Sequence, residues 1–267
     1  MRESQQDAFA LSRLPPDDAV PTFHMILADG MGGADQGAVI AQTAVSALRA
    51  VLDSMAPEDP FERVTDAIVE VNTRVNTAYE ERGGTTLIVA RAVGGRLWFA
   101  SVGDSQLYLW RAGRIYEMNQ RHEYLTDLYA EALAGRTTVA EALADPQMGA
   151  LTSFIGGGDL AIDATRRPFP LRPGDTLLAC SDGVSDTLGV AALEDCLGAG
   201  PDAACAAIVG LIRERDLPDQ DNYTALVARI VGDPGTWSGP HPQAHPTDPA
   251  GREPASHPTR TEPENTP

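Results

Sequence analysis

The sequence predicts an α+β protein in which amphipathic helices cover antiparallel sheet, and two observations carry that prediction. Apolar residues recur at helical spacing at Ala41, Val45, Leu48 and Leu52, and again at Val64, Ile68, Val71 and Val75. Between residues 85 and 118, short apolar runs alternate with glycine turns at Gly94-Gly95, Gly103-Asp104 and Gly113. Strands joined this tightly form antiparallel hairpins, so the block reads as a meander and not as a parallel sheet.

Taken in order, a short apolar segment at residues 8–11 precedes a Pro15-Pro16 break. An apolar strand at residues 23–28 then delivers Asp29 into a loop rich in glycine: Gly30, Gly32 and Gly33. The first helix starts near Gly37. Pro57 and Pro60 separate it from the second, which Gly83-Gly84 stop. The meander strands are residues 85–92, 96–102, 106–111 and 114–118, with Gly103-Asp104-Ser105 read as a hairpin turn. Residues 124–158 change character to short Ala-rich helices ending at Gly156-Gly157-Gly158, an insertion over the sheet. After Pro173-Gly174, residues 175–180 form another apolar strand that ends at Ser181-Asp182-Gly183, repeating the arrangement around Asp29. A helix at about 202–214 leads through Asp221-Asn222 to a last strand at 224–230. Beyond Gly232 prolines crowd too closely for packed elements, so residues 233–267 read as a disordered tail, and His241, His245 and His257 as solvated.

Composition narrows the function. The apolar fraction of 43% over 267 residues suits a sizeable core. A net charge of −18 disfavours nucleic acid and anionic membranes as partners and favours acid clustered around a cation. Cys180, Cys196 and Cys205 form no CxxC pair and read as reduced packing residues, which fits a cytoplasmic protein. No signal-peptide core and no run of eighteen apolar residues is present, so neither export nor membrane insertion is expected.

The chemistry lies in three acids at strand edges or in adjoining loops: Asp29, Asp182 and Asp221. Each alone reads as a cap or turn residue. Together, if their strands are neighbours, the carboxylates converge, and without compensation they raise one another's pKa values. Hard divalent cations remove that repulsion. With oxygen ligands and no His or Cys motif, the fitting ions are Mg²⁺ or Mn²⁺. No P-loop, GxGxxG or EF-hand pattern accompanies Asp29.

The ordered motifs are Arg2 with Gln5-Gln6-Asp7, Ala28-Asp29-Gly30-Met31-Gly32-Gly33, Gly84-Thr85-Thr86, Val102-Gly103-Asp104-Ser105, Pro173-Gly174-Asp175 leading to Cys180-Ser181-Asp182-Gly183, and Asp221-Asn222-Tyr223-Thr224. This series resembles the metal-dependent serine/threonine protein phosphatases of type 2C, the PPM family, in its bacterial form. The resemblance spans nearly all of residues 1–232. It implies two antiparallel sheets sandwiched between helix pairs, with a flap at about 121–160, and hydrolysis of phosphoserine or phosphothreonine by a metal-bridging water. By the same resemblance Asp29 bridges two Mn²⁺ or Mg²⁺ ions, the Gly30 carbonyl ligates one, and Asp182 and Asp221 complete the other site. Gln6 and Asp7 stand behind, Asn222 fixes the Asp221 loop, and Arg2 binds phosphate through its planar fork. Thr85 and Thr86 are expected to bond the backbone behind the metal loop.

The chain departs from the family pattern in places. Met31 stands where some members carry a histidine proposed as general acid, and Arg121-His122 stands where many carry Asp-His, so a third ion is not expected by that route. Gln5 replaces a frequent asparagine, and Met1 directly before Arg2 leaves a short first strand or a missing upstream segment. The expected partners are a phosphorylated protein substrate and an opposing Ser/Thr kinase, with the phosphatase itself a monomer. The alternatives are a catalytically silent phosphatase-like binding module and a binuclear hydrolase of small phosphate esters.

Overall fold

Alternating burial along one long strand generates the layers. The computed structural model describes residues 5–12, 20–32 and 36–232; Arg2, Gly33 and the 233–267 tail lie outside them. Strand β1 (Asp7–Leu11) pairs antiparallel with β2 (Thr22–Gly32), and β2 pairs on its other side with β4 (Leu87–Val93). In β2, Met25 and Leu27 face one apolar layer while Ile26 and Ala28 face another, the period of two that a strand buried on both faces requires.

The first outer layer is α1 (Gln36–Asp53) and α2 (Glu62–Tyr79). Ala41, Val45, Leu48 and Leu52 of α1 and Val64, Ile68, Val71 and Val75 of α2 are all buried against Ile26, Ala28, Leu87 and Val89, as the helical spacing predicts. The first sheet runs β1-β2-β4-β5, with β5 at Arg96–Val102. Three short strands add to it: β3 (Gly83–Thr85) on β2, and β8 (Asp163–Ala164) and β9 (Phe169–Pro170) on β5. The second sheet has the order β11-β10-β6-β7, from β6 (Gln106–Arg111), β7 (Arg114–Glu117), β10 (Thr176–Cys180) and β11 (Ala225–Arg229). Its outer face is covered by α5 (Asp182–Leu188), α6 (Val190–Cys196) and α7 (Pro201–Arg215), which bury Leu178 and Cys180 with Val184, Leu193, Ile208 and Ile212. The order of layers is therefore helix, sheet, sheet, helix.

The structure corrects several local readings. Residues 85–118 do not form one meander, because β5 and β6 belong to different sheets. Leu97 and Phe99 of β5 pack face to face with Leu107 and Leu109 of β6 in the layer between the sheets. Gly103-Asp104-Ser105 is thus a crossover and not a hairpin turn. Gly103 adopts φ +93°, and a Cβ there would meet Thr86 Cγ2 at 2.8 Å. Gly83 and Gly84 do not stop α2: it ends at Tyr79 with Glu80 left-handed, and the glycines pair with Gly32 and Met31 as β3. That pairing extends β2 through Asp29, so the acid lies within a strand and not in a loop. Asp182 opens helix α5 directly after β10, and Cys205 is half-buried where Cys180 and Cys196 are buried.

The 124–158 segment also divides. Its first part carries helices α3 (Tyr124–Leu133) and α4 (Val139–Ala144), and α3 buries none of its residues. The return through Phe154 to Gly157 is anchored instead: Ile155 bridges Thr85, and the Asn72 side chain accepts from Gly156 N at 2.7 Å.

Candidate active site

Strand parity puts Asp29 on the same face as Met25 and Leu27, toward the space between the sheets. In the β1–β2 ladder Asp7 is its cross-strand partner. From the second sheet, β10 ends at Cys180 and the chain turns through Ser181 into Asp182. Two carboxyls from one sheet thus meet one from the other at the same end of the sandwich. The Asp29 carboxyl lies close enough to those of Asp7 and Asp182 for each to perturb the others' titration.

Backbone contacts fix this end. Asp29 N donates to Thr86 Oγ1 at 3.0 Å, Thr86 N donates to Asp29 O at 2.9 Å, and Thr85 Oγ1 donates to the same oxygen at 2.9 Å. The two threonines therefore do bond the backbone behind Asp29. At Gly30 an added Cβ would lie 2.3 Å from Gly37 O, so a glycine is needed where α1 crosses β2. Asp7 Oδ2 accepts from Ser181 Oγ at 2.9 Å and Thr224 Oγ1 at 2.7 Å, which ties β1 to the β10–β11 end. Gln6 is buried and its N–H donates to Asn222 Oδ1 at 2.8 Å, while Asn222 N donates to Asp221 Oδ1 at 2.7 Å. A Cβ on Gly183 would sit 1.9 Å from Asn222 O, so the start of α5 presses directly on the Asp221 loop. Asp182 and Asp221 line an open cleft of about 240 Å³ together with Asp186 and Asp219.

Electrostatics record the crowding. Burial, then the charges of Asp7 and Asp182, push the Asp29 carboxyl from its usual 3.8 to about 10. Asp7 and Asp182 are raised by burial, with Asp221 adding to both. Asp104 is also pushed up, to about 7, by burial and then by Asp182 and Glu123. Asp104 is the acid that sequence reasoning missed as chemistry. Its signal is an acid beside a glycine at the end of a mostly apolar strand, as at Asp29.

The donor set fits a hard cation. Asp7 Oδ1 and Asp182 Oδ1 are buried carboxylate oxygens without a hydrogen-bond donor, which a cation would satisfy. Among the described residues no three His, Cys, Asp or Glu side chains already stand as a formed cage.

The sequence pattern that defines the family "Protein phosphatase 2C" matches residues 2–198. The chain belongs to the protein phosphatase 2C family. It is similar to the serine/threonine protein phosphatase PstP of Mycobacterium tuberculosis, 31% identical over 214 residues, covering 78% of this chain and 40% of that protein. The chain thus spans less than half the length of this mycobacterial relative. A Listeria welshimeri serine/threonine phosphatase, stp, is 27% identical over 213 residues, 76% of this chain and 82% of its own. Among solved structures, the PstP catalytic domain in complex with two manganese ions superposes with TM-score 0.66 at 26% identity, covering 85% of this chain and 99% of that one. The protein phosphatase 2C family is metal-dependent, in keeping with the donor set. Among the described residues no helix is long and apolar enough to cross a membrane.

Proposed function

We propose that the protein is a metal-dependent serine/threonine protein phosphatase that hydrolyses phosphoserine or phosphothreonine in protein substrates. The observation that carries this reading is the meeting of Asp7, Asp29 and Asp182, from three separated segments, with two buried carboxylate oxygens left without donors. Residues 1–232 form the phosphatase domain, with residues 121–160 its flap.

Asp29, the Gly30 carbonyl, Asp182 and Asp221 would hold two Mn²⁺ or Mg²⁺ ions. When bound, such ions supply an activated water and stabilise charge on the attacking and leaving oxygens. The chain's own residues do the positioning. Thr85 and Thr86 clamp the Asp29 backbone, Asp7 and Gln6 stand behind the ligands, and Asn222 sets the Asp221 loop against β1. Arg2 binds the phosphate of the substrate. Met31 carries no proton to donate, so the leaving group takes its proton from another source.

The reading extends to a cytoplasmic, monomeric enzyme that opposes a Ser/Thr kinase. The test is hydrolysis of a phosphothreonine peptide with and without Mn²⁺ by the wild type and Asp29→Asn. Turnover by the wild type with metal alone is the expected result. An inert wild type, or a variant as active as wild type, overturns it.

A further inference from the structure

Helix α5 brings Asp186 one turn after Asp182, so the two carboxylates share a helix face, and both line the cleft with Asp219 and Asp221. Like charges four residues apart oppose helix formation, and a free Asp186 beside Asp182 would be a ready ligand pair for a further hard cation. The chain instead meets Asp186 with Arg121, whose Nη1 donates to Asp186 Oδ1 at 3.0 Å and to Glu123 Oε1 at 3.1 Å. The Nη2 of the same side chain donates to Gln106 Oε1 at 2.5 Å and to Ser185 Oγ at 3.4 Å.

Two carboxylates, an amide oxygen and a hydroxyl, drawn from β6, α5 and the chain after β7, make the kind of oxygen set that a hard divalent ion takes. Here a guanidinium fills it. The match is one of shape as well as charge, because a rigid fork of N–H donors reaches acceptors in several directions and stays protonated at any working pH. The Arg121 side chain is 25% exposed, so water competes only weakly for its donors, whereas that of Asp186 is 62% exposed and open to ions from solution.

We propose that Arg121 is the resident cation of the acidic centre: it claims the oxygen set around Asp186 in place of a metal ion, so that the centre takes two exchangeable ions and not three. It is a positioning residue, acting through Asp186 by engaging the carboxylate that would otherwise join Asp182 as a ligand. The ion count rests on the metal-dependent phosphatase reading; the neutralisation of Asp186 by Arg121 does not.

The test compares wild type with Arg121→Lys, Arg121→Gln and Arg121→Asp by equilibrium dialysis against Mn²⁺ up to millimolar concentration. Wild type and Arg121→Lys should bind two ions per chain, since each keeps a cation at the position. Arg121→Asp should bind three, and adding Asp186→Asn to it should return the count to two. Arg121→Gln is the milder change, which decides the matter where Arg121→Asp does not fold. It should also admit a third ion, held about tenfold or more weakly than the first two. Three ions on the wild type, or only two on every folded variant lacking the cation, overturn the proposal. In EDTA at pH 8, Asp186→Asn should lower the wild-type melting midpoint by about 2 °C or more and leave that of Arg121→Gln unchanged or raised. Equal shifts in the two backgrounds overturn the proposal as well. A wild type that binds no Mn²⁺ refutes the metal-dependent reading, and the melting comparison then decides whether Arg121 neutralises Asp186.

Discussion

Asp7 stands directly opposite Asp29 in the β1–β2 ladder, yet the two carboxyls are satisfied in different ways. One Asp7 oxygen accepts two hydroxyls from the far sheet and the other accepts nothing. Asp29 instead keeps a proton up to about pH 10, because burial and its acidic neighbours disfavour its charge. The centre is thus arranged against the stability of the cation-free chain.

The first prediction follows from that arrangement. Below pH 3.8 the Asp29 carboxyl is protonated in both folded and unfolded chains and contributes no difference. As pH rises toward about 10 the unfolded chain ionises first, so folding must take up a proton and stability falls. At neutral pH the cost is on the order of a few kcal/mol. Asp29→Asn should therefore melt higher than wild type in EDTA at pH 8, by about 2–4 °C per kcal/mol recovered, and lose Mn²⁺-dependent turnover by at least about 100-fold. Melting curves at pH 5 and pH 8 with EDTA check the sign: the wild type should lose more stability over that interval than the variant.

Gly183→Ala should weaken the fold by about 1–3 kcal/mol, since the new methyl would lie 1.9 Å from Asn222 O and must displace the Asp221 loop from α5. Urea unfolding measures the loss. Isothermal titration with Mn²⁺ should show weaker binding as well, because the displaced loop carries Asp221. Gly113→Ala is the contrast for space alone: nothing lies within 4 Å of its Cβ position, although φ +82° still strains the backbone.

The helices were legible because their signal is local. Val64, Ile68, Val71 and Val75 bury one stripe whatever else the chain does. The acids at Asp29, Asp182 and Asp221 were legible as candidates because each stands beside an apolar strand. What failed depended on pairing across long intervals. Gly83-Gly84 read as a helix stop, but their partners are Gly32 and Met31, some fifty residues earlier in the chain. Gly103-Asp104-Ser105 has the composition of a hairpin turn, and only the packing of Phe99 against the second sheet reveals a crossover. Asp104 was therefore set aside as a turn residue although it titrates with the acidic centre.

Ser181 links the two sheets behind the acids. Its hydroxyl donates to Asp7 Oδ2 at 2.9 Å and accepts from Thr224 N at 3.0 Å. Ser181→Ala leaves the buried Thr224 N–H unpaired and takes a donor from Asp7, so unfolding should become easier by about 1–3 kcal/mol. Ser181→Thr keeps the hydroxyl, and chemical denaturation should show it closer to wild type.

His122 makes the start of the 124–158 segment sensitive to acid. Its Nδ1 accepts from Gly103 N at 3.0 Å, so the neutral ring carries its proton on Nε2, and its backbone N–H donates to Gly103 O at 2.9 Å. Burial holds its pKa below the usual 6.5, against the opposing pull of Asp163. Above pH 6.5 the ring is neutral in both folded and unfolded chains and the contact is intact. As pH falls from 6.5 toward the lower folded value, the unfolded chain binds the proton first and stability declines. Protonating the folded ring would turn the Nδ1 acceptor into a donor aimed at Gly103 N–H. His122→Asn removes this titration, so its stability relative to wild type should improve between pH 7 and pH 5. Proton NMR of the His122 ring through the same range should give a midpoint below 6.5; a midpoint above it would contradict the account.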